Sequence, residues 1–199
     1  MDSKDWSILA LAKRQRGVIT DAQAIAVGFN TGGSIRWRLG VGEWTRVLPG
    51  VVRLYWADDS WETRCMAAAL WAGASGALSH VTAAALHRFD VEPQEIVHVS
   101  TTRGRGRVNT GSVKSHRVCH QIRAMTVSGL RVTPPARTMV DLATMVDAIE
   151  LERLLRLALR NGQIERAEMQ AELSRLTQGN RGGRKLQRIF NGLVRVPTS

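Results

Sequence analysis

The sequence predicts an α+β protein: an N-terminal winged helix-turn-helix over residues 1–57, followed by a mixed α/β second domain over residues 58–199 with a small sheet and a C-terminal helical part. Two observations carry the first half of that statement. From Thr20 to Arg53 the chain reads as a helix, a tight turn, a short helix bearing Ser34-Ile35-Arg36-Trp37-Arg38, and a basic hairpin, which is the element order of a fold that lies in DNA. The 199 residues also carry a formal net charge of +11, as a partner of a polyanion would. The second half rests on short β-branched runs followed by four capped, apolar-periodic stretches after residue 134.

The elements follow in order. A first helix is expected over residues 4–16, ended by Gly17, and Thr20 caps a second over 21–27 that stops at Gly28, a residue suited to positive φ. Asn30 or Thr31 caps the third helix. There Ile35 and Leu39 lie four apart and share the inward face, which sets Trp37 outward with Arg36 and Arg38 flanking it. The hairpin turns at Pro49-Gly50, with Val47, Val51 and Val52 marking its strands. Ser60 caps an apolar helix over 61–71, and Ser79 or His80 opens another to about residue 88. Residues 96–99, 113–116 and 130–132 read as strands, the first two joined by Arg103-Gly104-Arg105-Gly106-Arg107. Helices are expected over 135–144, 147–160, 165–177 and 181–193.

Charge is unevenly spread. Residues 1–57 hold 8 basic against 4 acidic side chains, 58–102 hold 2 against 6, and 103–137 hold 8 against none, so two positive blocks flank an acidic one. No apolar run reaches the roughly 18 residues of a membrane helix, and the N-terminus lacks the apolar core of a signal peptide. The expectation is a cytoplasmic protein with no membrane partner. Cys65 and Cys119 are far apart without a CxxC spacing, which points to two buried or half-buried thiols and not to a disulfide or zinc ribbon. His116 and His120 beside Cys119 stand on a stretch that reads as strand, where residues four apart do not form the one-sided ligand set a helix gives, so no metal is expected. There is no GxSxG, and no lysine follows Asp90, Glu92 and Glu95 in a nuclease-like pattern. The chain is expected to be no enzyme and to need no cofactor.

The candidate DNA-binding residues are Thr31, Gly33, Ser34, Arg36, Trp37 and Arg38 at the third helix, Arg46 and Arg53 on the wing, and Arg103, Arg105, Arg107, Lys114, His116 and Arg117 in the second positive block. A helix in the major groove needs flat or short groups against bases and guanidinium groups reaching guanine edges or phosphates. Gly32-Gly33 lets a helix N-terminus, with its outward amides, approach a phosphate. Alternating glycines free the arginines of 103–107 to enter a narrow minor groove.

Leu11-Ala12-Lys13-Arg14-Gln15-Arg16-Gly17-Val18-Ile19-Thr20, Trp44-Thr45-Arg46-Val47-Leu48-Pro49-Gly50-Val51, Ala77-Leu78-Ser79-His80-Val81-Thr82-Ala83-Ala84-Ala85-Leu86 and Val132-Thr133-Pro134-Pro135-Ala136-Arg137-Thr138-Met139-Val140-Asp141-Leu142-Ala143, in that order, resemble the AbiEi-type antitoxin and regulator family of actinobacteria over about residues 9–190. The resemblance implies a winged helix that binds operator DNA and a second domain that supports or extends the contact. The short basic form is also similar to immunity repressors of actinobacterial temperate phages. Many relatives carry basic residues where Trp37 stands, which implies a different operator. Others continue into an endonuclease domain similar to very-short-patch repair nucleases; this chain ends first, and cleavage is expected to be absent.

The sequence reading is therefore a sequence-specific double-stranded DNA-binding repressor, with phage immunity ahead of an antitoxin that represses its own toxin–antitoxin operon, and with the DNA-targeting part of such an endonuclease third. A toxin protein is the partner in the antitoxin case. Leu151, Leu154, Leu155 and Ala158 make a stripe of ordinary core width and not a heptad seam, so the chain is expected to act as a monomer that reads one asymmetric site with two unlike modules.

Overall fold

The computed structural model describes residues 3–102, 109–119, 121–176 and 181–195. The chain packs into two compact units, residues 1–77 with 95–121 and residues 78–94 with 122–199, so the expected boundary at residue 57 lies inside the first. Both α and β elements are present in each, as the predicted α+β class requires.

In the first unit α1 (Ser3–Arg14) is followed by β1 (Val18–Thr20), α2 (Asp21–Ala26), a π-helical turn (Thr31–Ile35) that runs into α3 (Arg36–Gly40), and the hairpin of β2 (Trp44–Leu48) and β3 (Val51–Leu54). Gly17 and Gly28 both take positive φ, +78° and +101°, and reverse the chain after α1 and α2. Thr20 closes α2 with a full capping box: its Oγ1 accepts from the Gln23 amide, and Gln23 Oε1 accepts from the Thr20 amide. β1 pairs antiparallel with β3, giving a three-stranded sheet in the order β1-β3-β2. The third strand is absent from the sequence expectation. Val18 and Ile19 are fully buried against the hairpin, so three residues suffice once a partner strand supplies the ladder. Ile8, Ala12, Ile19, Ala24, Phe29, Ile35, Trp44, Val52 and Leu54 form the core, with the Phe29 and Trp44 rings tilted at 42° and 5.3 Å apart.

α4 (Trp61–Ala72), capped by Ser60, packs on β1, β2 and β3, which is why the unit extends beyond the hairpin. β4 (Gly76–Leu78) leaves it. β5 (Val97–Thr101) and β7 (Val113–Arg117) pair in parallel, with β6 (Asn109–Thr110) antiparallel to β7. The two strands expected to be joined across residues 103–107 therefore do not form a simple hairpin, because parallel neighbours need a crossover.

In the second unit α5 (His80–Leu86) precedes the antiparallel pair β8 (Met125–Val127) and β9 (Leu130–Val132), and Leu78 pairs in parallel with Val132. Then come α6 (Pro135–Leu142), α7 (Ala148–Arg160), α8 (Arg166–Ser174) and α9 (Arg181–Arg195), close to the four expected helices. Leu151, Leu154, Leu155 and Ala158 all face one core with Met139, Leu142, Met169, Leu186 and Phe190. No helix among the described residues is long and apolar enough to cross a membrane.

Candidate nucleic-acid interface

Asn30 sets the geometry of the π-helical turn that runs into α3. The Asn30 side-chain oxygen accepts from the Gly33 amide at 2.6 Å and the Ser34 amide at 3.3 Å, while Ser34 Oγ accepts from the Asn30 amide at 2.9 Å. A Cβ at Gly33 would stand 2.6 Å from that Asn30 oxygen, so only glycine leaves room for the cap. At the helix start, where Gly32-Gly33 is expected from the sequence to let a phosphate approach, the amides of Gly33 and Ser34 thus already have an acceptor. Thr31 and Gly33 are exposed, and Ser34 is half-buried with its hydroxyl turned back into the cap.

Ile35 is buried beneath this turn, as its spacing predicts, and Trp37 stands 58% exposed with Arg36 exposed beside it. Arg38 behaves otherwise. Its guanidinium turns inward, ion-paired with Asp5 of α1 at 2.5 Å and with Glu43 just before β2, and lies 5.2 Å and 5.6 Å from the centroids of Phe29 and Trp44. The 3.6-residue period places position 38 at the edge of the apolar stripe. The long arginine stem then carries the charge back onto two carboxylates that lie 33 residues before and 5 residues after it.

The hairpin arginines are also partnered. Arg46 Nη1 reaches both carboxylate oxygens of Asp21 at 2.7 and 2.8 Å, and Arg53 pairs with Asp59 at 2.9 Å. Arg46 remains on the surface, whereas Arg53 is half-buried. Asp21 sits in the first turn of α2, where an anion is favoured, so that helix start orients Arg46 through the carboxylate.

In the second positive block Lys114 and Arg117 are exposed on β7. His116 stacks on His98 of β5 with ring centroids 5.1 Å apart and Nε2 3.1 Å from the His98 Nδ1. Burial, and after it the neighbouring charge of Lys114, pushes His98 down to about 4; burial and then His98 and Lys114 do the same to His116. Both rings are neutral at pH 7. His116 thus offers a phosphate no cation, and its pairing partner His98 was not singled out from the sequence because the parallel register of β5 and β7 is not a local signal. Arg103, Arg105 and Arg107 lie outside the described residues. Thr31, Gly33, Arg36 and Trp37 are thus all exposed on the π-helical turn and α3, and Arg46, Arg53, Lys114, His116 and Arg117 lie elsewhere in the same unit.

Asp5, Asp21, Glu43 and Asp59, which hold the arginines, were missed in the sequence because Asp5 and Asp21 lie 33 and 25 residues from their partners, and Glu43 and Asp59 reach theirs across a turn and not along one helix face. Of the two thiols expected to be at least half-buried, Cys65 is buried and pushed up to about 12 by that burial, but Cys119 is exposed, since it follows the end of β7 where no core covers the chain.

Residues 74–190, more than half of the chain, match the family described as the AbiEi antitoxin C-terminal domain. Among solved structures the chain is similar to the Rv2827c protein of Mycobacterium tuberculosis, with a TM-score of 0.59 at 13% identity, over 98% of this chain and 81% of that one. That likeness is one of fold. The curated proteins contain no match to the sequence.

Proposed function

The chain belongs to the AbiEi antitoxin family, and from that premise we propose that it is a sequence-specific double-stranded DNA-binding regulator that represses the operon of its own toxin. The observation that carries the proposal is the outward face of α3, where Trp37 and Arg36 are exposed over a buried Ile35 and beside a hairpin in a chain of net charge +11. Trp37 and Arg36 contact base edges. Arg38 holds α3 against α1 and β2 and acts through position. Arg46, already turned outward on Asp21, exchanges that carboxylate for a phosphate. Lys114 and Arg117 add phosphate contacts, and the arginines of 103–107 extend them along the duplex, so that one copy reads one asymmetric site.

The phage-immunity role expected from the sequence shares the DNA step and differs in what surrounds the gene. The family match favours the antitoxin reading. Selection of bound duplexes from a random pool, followed by co-purification with the product of the adjacent gene, tests it. One enriched operator motif upstream of the chain's own gene, together with a toxin that the chain controls, supports the proposal. Related sites scattered through one phage genome, with no toxin gene, support the immunity role instead. Supercoiled plasmid incubated with the protein and magnesium should stay intact; nicking would revive the endonuclease reading.

A further inference from the structure

Between Thr31 and Gly42 the side chains that stand exposed are those of Thr31, Arg36, Trp37 and Val41. Trp37 and Val41 are four residues apart. The Val41 amide donates to the Trp37 carbonyl at 2.9 Å, so the helical turn carries through Val41 and sets both side chains on the same side of the helix. They are 58% and 52% exposed. Gly32 before them, and Gly40 and Gly42 on either side of Val41, have open space where a Cβ would stand, so no side chain at those positions shields the pair. The Trp37 ring is also supported: the Arg38 guanidinium, held by Asp5 and Glu43, lies 5.9 Å from its centroid.

The other polar side chains of this segment are engaged within the protein. Arg38 turns inward onto its two carboxylates, and Asn30 and Ser34 close the cap. Charged readout of base edges from α3 therefore falls to Arg36, and the large side chains exposed beside it are apolar. The apolar group that a base offers in the major groove is the thymine 5-methyl. An indole or isopropyl group laid on that methyl takes apolar surface of both partners out of water. Two side chains fall short of the roughly 800 Å² per partner that a stable protein interface buries, and they stand beside Arg36 in a chain of net charge +11, which favours DNA over a second protein.

We propose that Trp37 and Val41 together read the 5-methyl groups of thymines in the operator. The proposal rests on the reading of α3 as a helix that enters the major groove, and it names the base feature recognised there. Side chains four apart on a helix are separated by about 6 Å along its axis, or about two base-pair steps, so the thymines concerned lie within about three base pairs of one another.

The test uses the full-length chain and a duplex selected from a random pool. Each thymine is replaced in turn by uracil, which keeps the pairing and the O4 acceptor and lacks only the methyl. With the wild-type chain, uracil at one or two nearby positions should weaken binding by roughly threefold to tenfold per methyl, and by less than about twofold at the other thymines. In Trp37→Ala or Val41→Ala the uracil effect at a responding position should vanish. A wild-type scan in which no thymine responds, or responding thymines whose loss is unchanged in both variants, would overturn the proposal. Where the scan is flat but Trp37→Ala still loses the selected duplex more than a scrambled one, α3 reads sequence through another contact and this inference alone fails. A pool that enriches no sequence removes the reading of α3 and this inference with it. A flat scan with self-association or toxin binding that Trp37→Ala abolishes would assign the pair to a protein partner instead.

Discussion

Replacing Arg38 by Ala separates a residue that reads DNA from one that holds the reading helix. Its side chain is 19% exposed, and the Asp5 carboxylate of α1 that it pairs with is 17% exposed, so truncation takes the Arg38 charge away from a mostly buried carboxylate. Breaking a fully buried pair costs about 3–5 kcal/mol, and an exposed pair about 0–1 kcal/mol. The Asp5 contact lies nearer the first limit and the Glu43 contact, 39% exposed on the acid side, nearer the second. The guanidinium also faces the Phe29 and Trp44 rings, each contact worth about 0.5–1 kcal/mol. The expected loss is about 2–4 kcal/mol, read by urea unfolding followed through tryptophan fluorescence, because Trp44 is buried in this core. Asp5→Asn in the Arg38→Ala background should recover part of it, since the carboxylate that lost the Arg38 charge is then neutral. On DNA, Arg38→Ala should weaken cognate and random duplex by similar factors under conditions where the variant is folded. Unchanged stability, within about 0.5 kcal/mol, together with a loss confined to the cognate site would refute the reasoning and return Arg38 to the set of base-reading residues.

Asn30→Ala, and Gly33→Ala through the 2.6 Å approach to the Asn30 oxygen, should each cost about 1 kcal/mol in thermal or urea unfolding, and a neutral Gly33→Ala would show that the cap is not needed. Arg46→Ala should change stability by less than about 1 kcal/mol, as for a surface pair, while weakening cognate and random DNA alike and lowering the salt slope by about one; an unchanged slope would remove Arg46 from the phosphate contacts. The stacked imidazoles of His98 and His116 stay neutral in the fold down to about pH 4, whereas in the unfolded chain they take up protons near their ordinary value of 6.5. The unfolded state therefore binds more protons between those values, and stability should fall as pH drops through the window and be level above pH 7. Each ring contributes a slope of at most about 1.4 kcal/mol per pH unit, and His116→Asn should flatten it; an unaltered pH profile in that variant would contradict the pairing.

Much of the path from sequence to fold is local, and the local part was legible. Thr20, Ser60 and Asp147 cap helices where short polar side chains precede apolar periodicity, and Gly17, Gly28 and Gly50 take the positive φ that their positions demand. The four C-terminal helices announce themselves through stripes such as Leu151, Leu154, Leu155 and Ala158. What was hidden is non-local. β1 has three residues, too few for an alternation, and becomes a strand through β3. The parallel pairing of β5 with β7 depends on chain 12 or more residues away, and with it goes the neutral stack of His98 and His116. At the interface the face of α3 was read correctly for Ile35 and Trp37 because a helix fixes where a Cβ points. It does not fix where a guanidinium four bonds farther out comes to rest, and the carboxylates Asp5, Asp21 and Asp59 on other elements or loops decided that for Arg38, Arg46 and Arg53.

We propose that the exposed surface of α3 reads sequence. It is tested most directly by measuring the affinity of the wild-type chain and of Trp37→Ala and Arg36→Ala for a duplex selected from a random pool and for a scrambled duplex of equal length, at one fixed salt concentration. Each substitution should cost about 1–3 kcal/mol on the selected site and far less on the scrambled one, so that the ratio between them collapses. Equal losses on both duplexes, or a wild-type chain that does not distinguish them, would contradict it.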